Sequence, residues 1–250
     1  MIITPIRTPK LLSGQESLLQ FLGEYIGTLD NGSIVAVTSK IVSLCESSIV
    51  PVGSIDKEEL IRQQSDYFLP SDKHKYGYHF SVVDSTLISS AGIDESNGNG
   101  NYVLWPRNAQ QSANEVREFF INKYNLKEVG VIITDSMSRV MRKGSTGTCL
   151  AHSGFGALKD YRHTKDLFGH ELAFSVANAA EGLASAAVVT MGEGIEQTPI
   201  AIISNLPFIK FQDRNPSNDE LEELRLTLET DYFEVFINNA PWQKGGRGKK

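Results

Sequence analysis

The segment that most constrains the fold is residues 130–147, GVIITDSMSRVMRKGSTG, in which an apolar run leads directly into a basic, glycine-rich stretch. The run is β-branched, and such a short run predicts a buried strand. Asp135 and Ser136 follow at the exit of this strand. The layout predicts that a sheet presents a carboxylate to a phosphate or metal site, although an ordinary surface loop after a core strand fits the local pattern equally well.

The residues after the strand carry the positive charge and the conformational freedom that an anion site requires. Arg139, Arg142 and Lys143 lie close together in the sequence. Gly144 and Gly147 follow them, and the lack of a side chain at these positions lets backbone amides approach an anion closely. The planar guanidinium of arginine captures phosphate or carboxylate through two hydrogen bonds, which lysine does less well. We therefore predict a catalytic role for Asp135, Arg139 and Arg142.

Composition excludes several classes of protein. The 250 residues carry a net charge of -6, so a nucleic acid is not expected as the main partner and any polyanion site must be local. Only Cys45 and Cys149 are present, which predicts a reducing cytoplasm rather than a disulfide framework. No signal peptide or membrane span is expected. Residues 1–240 are predicted to form one globular unit, and 241–250 a disordered basic tail.

The order of predicted elements indicates a mixed α+β fold. Apolar periodicity and caps predict the following elements: helices over 15–26, 57–67, 112–124, 171–190 and 216–229, and strands over 34–38, 80–89, 129–134 and 200–204, with further β character over 41–49. Helices and strands alternate irregularly, so a mixed-sheet single domain is favoured over a doubly wound sheet. Neither GxxxxGK[ST] nor a well-placed GxGxxG occurs, so a nucleotide would be bound by another geometry.

Three turn-rich segments that follow apolar runs offer hard oxygen ligands. These ligands are Asp94 with Asn97, Asp135 with Ser136, and Glu193 between two glycines. Oxygen donors without histidine or thiolate suit magnesium or manganese, which proteins usually hold with a few carboxylates plus substrate phosphates. The alternative is that each carboxylate forms a turn, ends a strand or faces solvent. His152, His163 and His170 match no zinc spacing and are predicted to lie at the surface or behind a site.

Four ordered motifs carry a resemblance to a known family: AGIDESN at 91–97, VIITDS at 131–136 with the arginines that follow, KDYRHTKDLFGHEL at 159–172 and MGEGIEQTPI at 191–200. Over residues 7–204 the chain resembles the coenzyme F-420:L-glutamate ligases, which are GTP-dependent γ-glutamyl ligases. The resemblance implies an α+β fold of that family's own type, a homodimer, and L-glutamate and a deazaflavin acceptor as substrates. Some diverged relatives glutamylate a folate instead.

The resemblance also implies roles for individual residues. It implies Mg²⁺ or Mn²⁺, as two ions, with K⁺ as a further candidate. The implied metal ligands are Asp94, Asp135, Ser136 and Glu193. The implied GTP contacts are Arg7, Thr8, Pro9, Lys10, Ser39, Lys40, Asn97, Met191, Gly192, Gly194, Ile195, Glu196, Gln197 and Thr198.

The chain departs from the family pattern at three places. Leu44 stands where a lysine is usual, Ser138 replaces a glycine, and His170 stands where an arginine is common. We expect the reaction to be GTP-dependent phosphorylation of an acceptor carboxylate, followed by attack of the glutamate amine on the acyl phosphate. A metal-dependent nucleotide phosphohydrolase and a non-catalytic GTP-binding protein are the competing interpretations.

Overall fold

The computed structural model describes residues 1–248 and contains both helices and strands in irregular order. The strands are β1 (Ile2–Ile6), β2 (Ser33–Thr38), β3 (Ile49–Pro51), β4 (Tyr67–Leu69), β5 (Phe80–Val83), β6 (Thr86–Ser89), β7 (Asn101–Val103), β8 (Val129–Ser138), β9 (Ser145–Ser153), β10 (Leu158–Asp160), β11 (Val176–Asn178), β12 (Ile200–Ser204) and β13 (Gln243–Lys244). The helices are α1 (Leu18–Tyr25), α2 (Ser39–Cys45), α3 (Lys57–Gln64), α4 (Ala109–Tyr124), α5 (Ala179–Met191), α6 (Asn218–Glu223) and α7 (Glu234–Ile237).

The described chain separates into two compact units. The first comprises Met1–Ser47, Pro106–Ser136 and Gly144–Pro216, and the second comprises Ser48–Trp105, Met137–Lys143 and residues 217–248. The first unit contains a five-stranded sheet in the order β1-β12-β2-β8-β9. Strand β12 is antiparallel to both β1 and β2, whereas β2 and β8 are parallel. The sheet is therefore mixed, as the sequence predicts.

Helices α1, α2 and α4 contribute to the buried core of the first unit. Helix α1 begins with a capping box at Ser17 and contributes Phe21 and Leu22 to a core that also contains Val131 and Ile133 of β8. Removing such side chains from water is the main stabilising term of a fold of this kind. The apolar run that the sequence marks as a buried strand is thus confirmed, because every residue from Val129 to Thr134 is buried.

The second unit is built on smaller antiparallel sheets. One sheet has the order β13-β4-β5-β6 and the other pairs β3 with β7. Helix α3 contributes Leu60 and Ile61 to a core shared with Val83, Ile88 and Tyr102. The strand predicted over 80–89 is in fact a hairpin, in which Asp84 and Ser85 adopt positive φ between β5 and β6. A tight two-residue turn with this geometry matches the twist of paired strands.

Four further local predictions were wrong. Helix α3 ends at Gln64 rather than at residue 67, because Tyr67 begins strand β4. Residues 39–45 form helix α2 rather than continuing with β character, because Ile41, Val42 and Leu44 are buried by helical packing. The alanine-rich helix begins at Ala179 rather than near 171, since residues 176–178 pair with β10 and Asn178 caps the helix. Helix α6 ends at Glu223, six residues early; none of its residues is buried, so no packing extends it.

The described part of the predicted disordered tail is paired with the rest of its unit. Strand β13 pairs with β4, and the Gly245 amide donates to the Asp66 carbonyl at 2.9 Å. The Arg247 guanidinium contacts the Asp84 carboxylate at 2.6 Å. Residues 249 and 250 lie outside the described residues. Among residues 1–248, no helix has the length and apolar character needed to cross a bilayer.

Candidate functional site

Two parallel strands place Ser39 and Asp135 at the same edge of the large sheet. Strands β2 and β8 run in register, with Thr38 opposite Thr134. Ser39, the first residue of α2, and Asp135, which lies in β8 one residue beyond its pairing with β2, therefore both follow the paired stretch at its carboxyl end. Ser39 is buried at the start of α2, and Lys40 and Asp135 are half-buried. Functional residues of α/β sheets commonly lie at this edge, because loops leave it side by side.

Two further predicted segments reach this edge through backbone hydrogen bonds. The Thr38 amide donates to the carbonyl of Pro199 at 3.0 Å, so the 191–198 loop, which precedes β12, ends beside β2. The Thr8 amide donates to the carbonyl of Gln197 at 2.9 Å, which ties the segment after β1 to that loop. Thr8 is buried, whereas the other three members of this segment are exposed: Arg7, Pro9 and Lys10. Four separate stretches of sequence thus meet in the first unit.

A side-chain contact joins two of these stretches. The Ser136 hydroxyl donates to Glu193 Oε1 at 2.7 Å, although the two residues are 57 positions apart. The Ser136 amide also donates to Asp135 Oδ1 at 2.9 Å. Ser136 thus contacts the carboxylates of both Asp135 and Glu193. The structure brings together three of the four predicted metal ligands: Asp135, Ser136 and Glu193.

The loop that carries Glu193 has an internal carboxylate contact that the sequence did not reveal. Gly192 follows α5 with φ 82°, and its amide donates to the Val188 carbonyl. Glu196 Oε2 accepts a hydrogen bond from the Gly194 amide at 2.7 Å. The Thr198 hydroxyl donates to the Met191 carbonyl and closes the loop. No sequence motif announces the contacts made by Glu196 and Thr198. Only the glycines at 192 and 194 indicate that another group could approach the backbone closely there.

Strand β9 packs so tightly on α5 that Gly147 cannot approach an anion, contrary to the prediction. A Cβ at Gly147 would lie 2.4 Å from the carbonyl oxygen of Ala184. The Ser185 hydroxyl donates to the Gly147 carbonyl at 2.7 Å. One strand residue further on, the Thr148 hydroxyl contacts both carboxylate oxygens of Glu181, at 3.0 and 3.1 Å. Gly147 therefore serves packing, whereas exposed Gly144 has open space around its Cα.

Asp94 and Asn97 lie in the second unit, where Asp94 is part of a turn. The Asp94 carboxylate accepts hydrogen bonds from the Ser96 amide at 2.8 Å and from the Ser96 hydroxyl at 3.1 Å. The Asp94 backbone forms an isolated bridge with Val103. Asn97 is exposed with φ 56°, a conformation that asparagine adopts more readily than most residues. These contacts match the turn-forming alternative and leave the predicted ligand roles untested.

The two predicted catalytic arginines also belong to the second unit, in the segment Met137–Lys143. Met137 packs against the core of that unit. Arg139 is half-buried and Arg142 is exposed, with its guanidinium donating to the Met141 carbonyl at 3.1 Å. Leu44, at the place where the resemblance led us to expect a lysine, is buried in α2. The catalytic role of both arginines stays a prediction.

The donor set of the first unit is compatible with a hard divalent ion that also binds substrate phosphates. Asp135 and Glu193 supply carboxylates, and Ser136 supplies a hydroxyl. Magnesium is usually bound by one or two carboxylates plus phosphate and water oxygens, so this set is sufficient in kind. Within residues 1–248, no group of three or more histidine, cysteine, aspartate or glutamate side chains could hold a metal by itself.

The cysteines and histidines give no alternative centre. Burial raises the pKa of the Cys45 thiol to about 12, and burial together with Glu181 raises the pKa of Cys149, so neither is a reactive thiolate. His152 is only 2% exposed and packs its ring on Phe155, which excludes the surface position of the two that the sequence analysis allowed. His163 and His170 are exposed as predicted.

Comparison with known proteins agrees with the motifs. A family model described as F420-0:Gamma-glutamyl ligase matches residues 5–205. The coenzyme F420:L-glutamate ligase of Methanococcus maripaludis strain C6 is 30% identical over 224 residues, covering 79% of this chain and 85% of the relative. The enzyme of the same name from Methanocaldococcus jannaschii is 32% identical over 211 residues, covering 78% of this chain and 84% of the relative. The enzyme of the same name from Methanopyrus kandleri is 27% identical over 225 residues, covering 82% of this chain and 86% of the relative.

The family match spans both the sheet edge and the motifs that the sequence analysis singled out. It confirms the resemblance. The chain therefore belongs to the F420-0:gamma-glutamyl ligase family and is an amide-bond-forming ligase of that family.

Proposed function

We propose that this protein is a GTP-dependent γ-glutamyl ligase that adds L-glutamate to a carboxylate acceptor, either the deazaflavin F420-0 or a folate. The observation that carries the proposal is the 2.7 Å contact between Ser136 and Glu193 at a sheet edge where four chain segments meet. This oxygen-rich cluster lies inside the region that matches the family. The names of the relatives support glutamate as the amine and F420 as the acceptor class.

The proposed reaction has two steps. A carboxylate oxygen of the acceptor attacks the γ-phosphorus of GTP, and the bond to the β,γ-bridging oxygen breaks to release GDP. The neutral amine of L-glutamate then attacks the acyl carbon, and the carbon–oxygen bond to phosphate breaks. The amine loses a proton and inorganic phosphate leaves. An amide forms without any change of oxidation state.

The residues of the first unit suit this chemistry. Asp135, Ser136 and Glu193 would hold Mg²⁺ or Mn²⁺, and we propose two such ions, with K⁺ as a further candidate. Bound cations of this kind neutralise the negative charge that develops on a phosphate group during its transfer. The nucleotide would lie against the 191–198 loop, with Thr8, Ser39 and Lys40 nearby. Asp94, Asn97, Arg139 and Arg142 remain proposed contacts from their motifs. We also propose a homodimer and a cytoplasmic location.

The test measures phosphate release from GTP with Mn²⁺ and L-glutamate, in parallel with F420-0, with a reduced folate and with neither. Product masses report the added glutamyl units. Glutamate-dependent release with one acceptor supports the proposal and identifies the acceptor. Release that is indifferent to glutamate favours a phosphohydrolase, and GTP binding in calorimetry without release favours a binding protein.

Variants link the activity to the cluster. Asp135→Asn preserves shape but removes the charge, and we expect it to abolish turnover while the circular dichroism spectrum and melting temperature stay unchanged. Asp30→Asn is the matched control, because Asp30 is an exposed aspartate of the same unit that lies outside both the cluster and the family motifs. Full activity of the Asp135 variant would remove that carboxylate from the site.

A further inference from the structure

The loop between α5 and β12 holds a carboxylate that faces its own backbone. A Cβ added at Gly192 would lie 2.5 Å from the Glu196 Cδ, and one added at Gly194 would lie 3.3 Å from Glu196 Oε2. The Gly194 amide donates to that same oxygen at 2.7 Å. The Glu196 carboxylate therefore fills the space that two absent side chains leave, and it spans the residue between them, Glu193.

The remaining contacts of the loop fix its ends but not its centre. At one end the Gly192 amide donates to the Val188 carbonyl of α5. At the other end the Gln197 carbonyl accepts from Thr8, and the Thr198 hydroxyl donates to the Met191 carbonyl. Glu193 and Ile195 are exposed, and Glu193 has its contact with Ser136. Between residues 192 and 197, the described hydrogen bond that folds the loop on itself is the one from Gly194 to Glu196.

We propose that Glu196 is a positioning residue, which acts through the conformation of this loop to hold Glu193 against Ser136. In this role the Glu196 carboxylate does not contact the nucleotide. A carboxylate turned toward the phosphates of GTP would repel them, whereas one bonded to the Gly194 amide organises backbone and leaves the outer face to the ligand. The kinetic part of this inference rests on the proposed function, and the structural part does not.

The expected effect follows from preorganisation. Without the Glu196 acceptor, the loop populates its ordered form for a smaller fraction of the time, and the apparent affinity for a ligand falls by that fraction. The loss of one solvent-exposed hydrogen bond changes such an equilibrium by about 2- to 13-fold. We therefore expect the KM for GTP to rise by up to about this factor in Glu196→Ala, while kcat changes much less.

The experiment compares Glu196→Ala with Glu196→Gln and with Glu222→Ala. Glutamine keeps an oxygen acceptor for the Gly194 amide but removes the charge, so it should restore the KM nearly to the wild-type value. Glu222 is an exposed glutamate of helix α6 and serves as the matched control. Hydrogen exchange of the Gly194 amide, followed by NMR in the ligand-free protein, should accelerate in Glu196→Ala and not in Glu196→Gln.

The outcomes separate this inference from the proposed function. Equal damage to the KM by alanine and glutamine would mean that the charge itself meets a ligand, and would overturn the positioning role. An unchanged KM in Glu196→Ala would overturn it as well, even if the Gly194 amide exchanged faster. If the wild-type protein neither binds nor consumes GTP, the proposed function fails, and the exchange rates of the three variants decide whether Glu196 orders the loop.

Discussion

Replacement of Gly147 by alanine tests the packing of β9 on α5. Both faces of this contact are buried, and a Cβ at residue 147 would lie 2.4 Å from the Ala184 carbonyl oxygen and 2.7 Å from the Val188 Cγ2. The Val188 methyl can rotate away, but the Ala184 carbonyl belongs to the helix backbone and cannot. The strand and the helix must therefore separate, which also strains the hydrogen bond from Ser185 to the Gly147 carbonyl.

The magnitude follows from the cost of overpacking. Inserting one methyl group into a close-packed interior destabilises a protein by about 1–3 kcal/mol, and the fixed carbonyl places this site at the upper end, about 3 kcal/mol. For a chain of this size, 1 kcal/mol corresponds to about 2–4 °C in the melting temperature. We therefore expect Gly147→Ala to melt about 6–12 °C below the wild type.

Gly182→Ala is the matched control. Gly182 lies in α5, the helix that Gly147 packs against, and a Cβ at residue 182 would meet nothing within 4 Å. Alanine is the better helix former, so this control should raise the free energy of unfolding by up to about 1 kcal/mol. Urea denaturation followed by circular dichroism, with the slope of each curve compared, measures both variants. A Gly147→Ala protein as stable as the wild type would refute the close contact between β9 and α5.

Three further predictions concern charged and thiol groups. Asn215→Ala removes the Oδ1 acceptor of the buried Arg117 guanidinium, 3.2 Å away, and should lower the free energy of unfolding by about 1–3 kcal/mol in urea. The Arg162 guanidinium lowers the pKa of Asp160 from 3.8 to about 2, so the contribution of this pair to stability is present above pH 3.8 and lost as the pH falls toward 2. Arg162→Gln should return the Asp160 midpoint, read by carbon NMR, toward 3.8. With its pKa near 12, Cys45 should react with a disulfide reagent at pH 8 far more slowly in the native than in the unfolded protein, as peptide mass spectrometry of the label would show.

The sequence alone predicted those elements whose signal is local. The strand over 200–204 matches β12 residue for residue, and the β-branched run before Asp135 is buried in β8 as predicted. The cap of helix α6 at Ser217 is likewise local in origin, because its capping box is a contact between residues three positions apart. Helix α2 was not readable, since its β-branched residues favour a strand and only burial of Ile41 and Val42 makes a helix the better solution.

For the candidate site, too, the sequence predicted one part and the tertiary structure decided the other. Sequence motifs named Asp135, Ser136 and Glu193 as members of one site and identified the family. The parallel register of β2 and β8 and the hydrogen bonds of Thr8 and Thr38 then decided which segments meet, because pairing across 90 or more positions leaves no local trace.

Two residues show most clearly what the tertiary structure added. Gly147, which the sequence assigned to anion binding, is required by the approach of α5. Glu196, which the resemblance assigned to the nucleotide, is exposed and places its carboxylate against Gly192 and Gly194 of its own loop. Residue type and spacing determine which chemical groups a loop can offer. The direction in which each group points depends on which neighbours fill the space around it, and that is fixed only when the strands and helices pack.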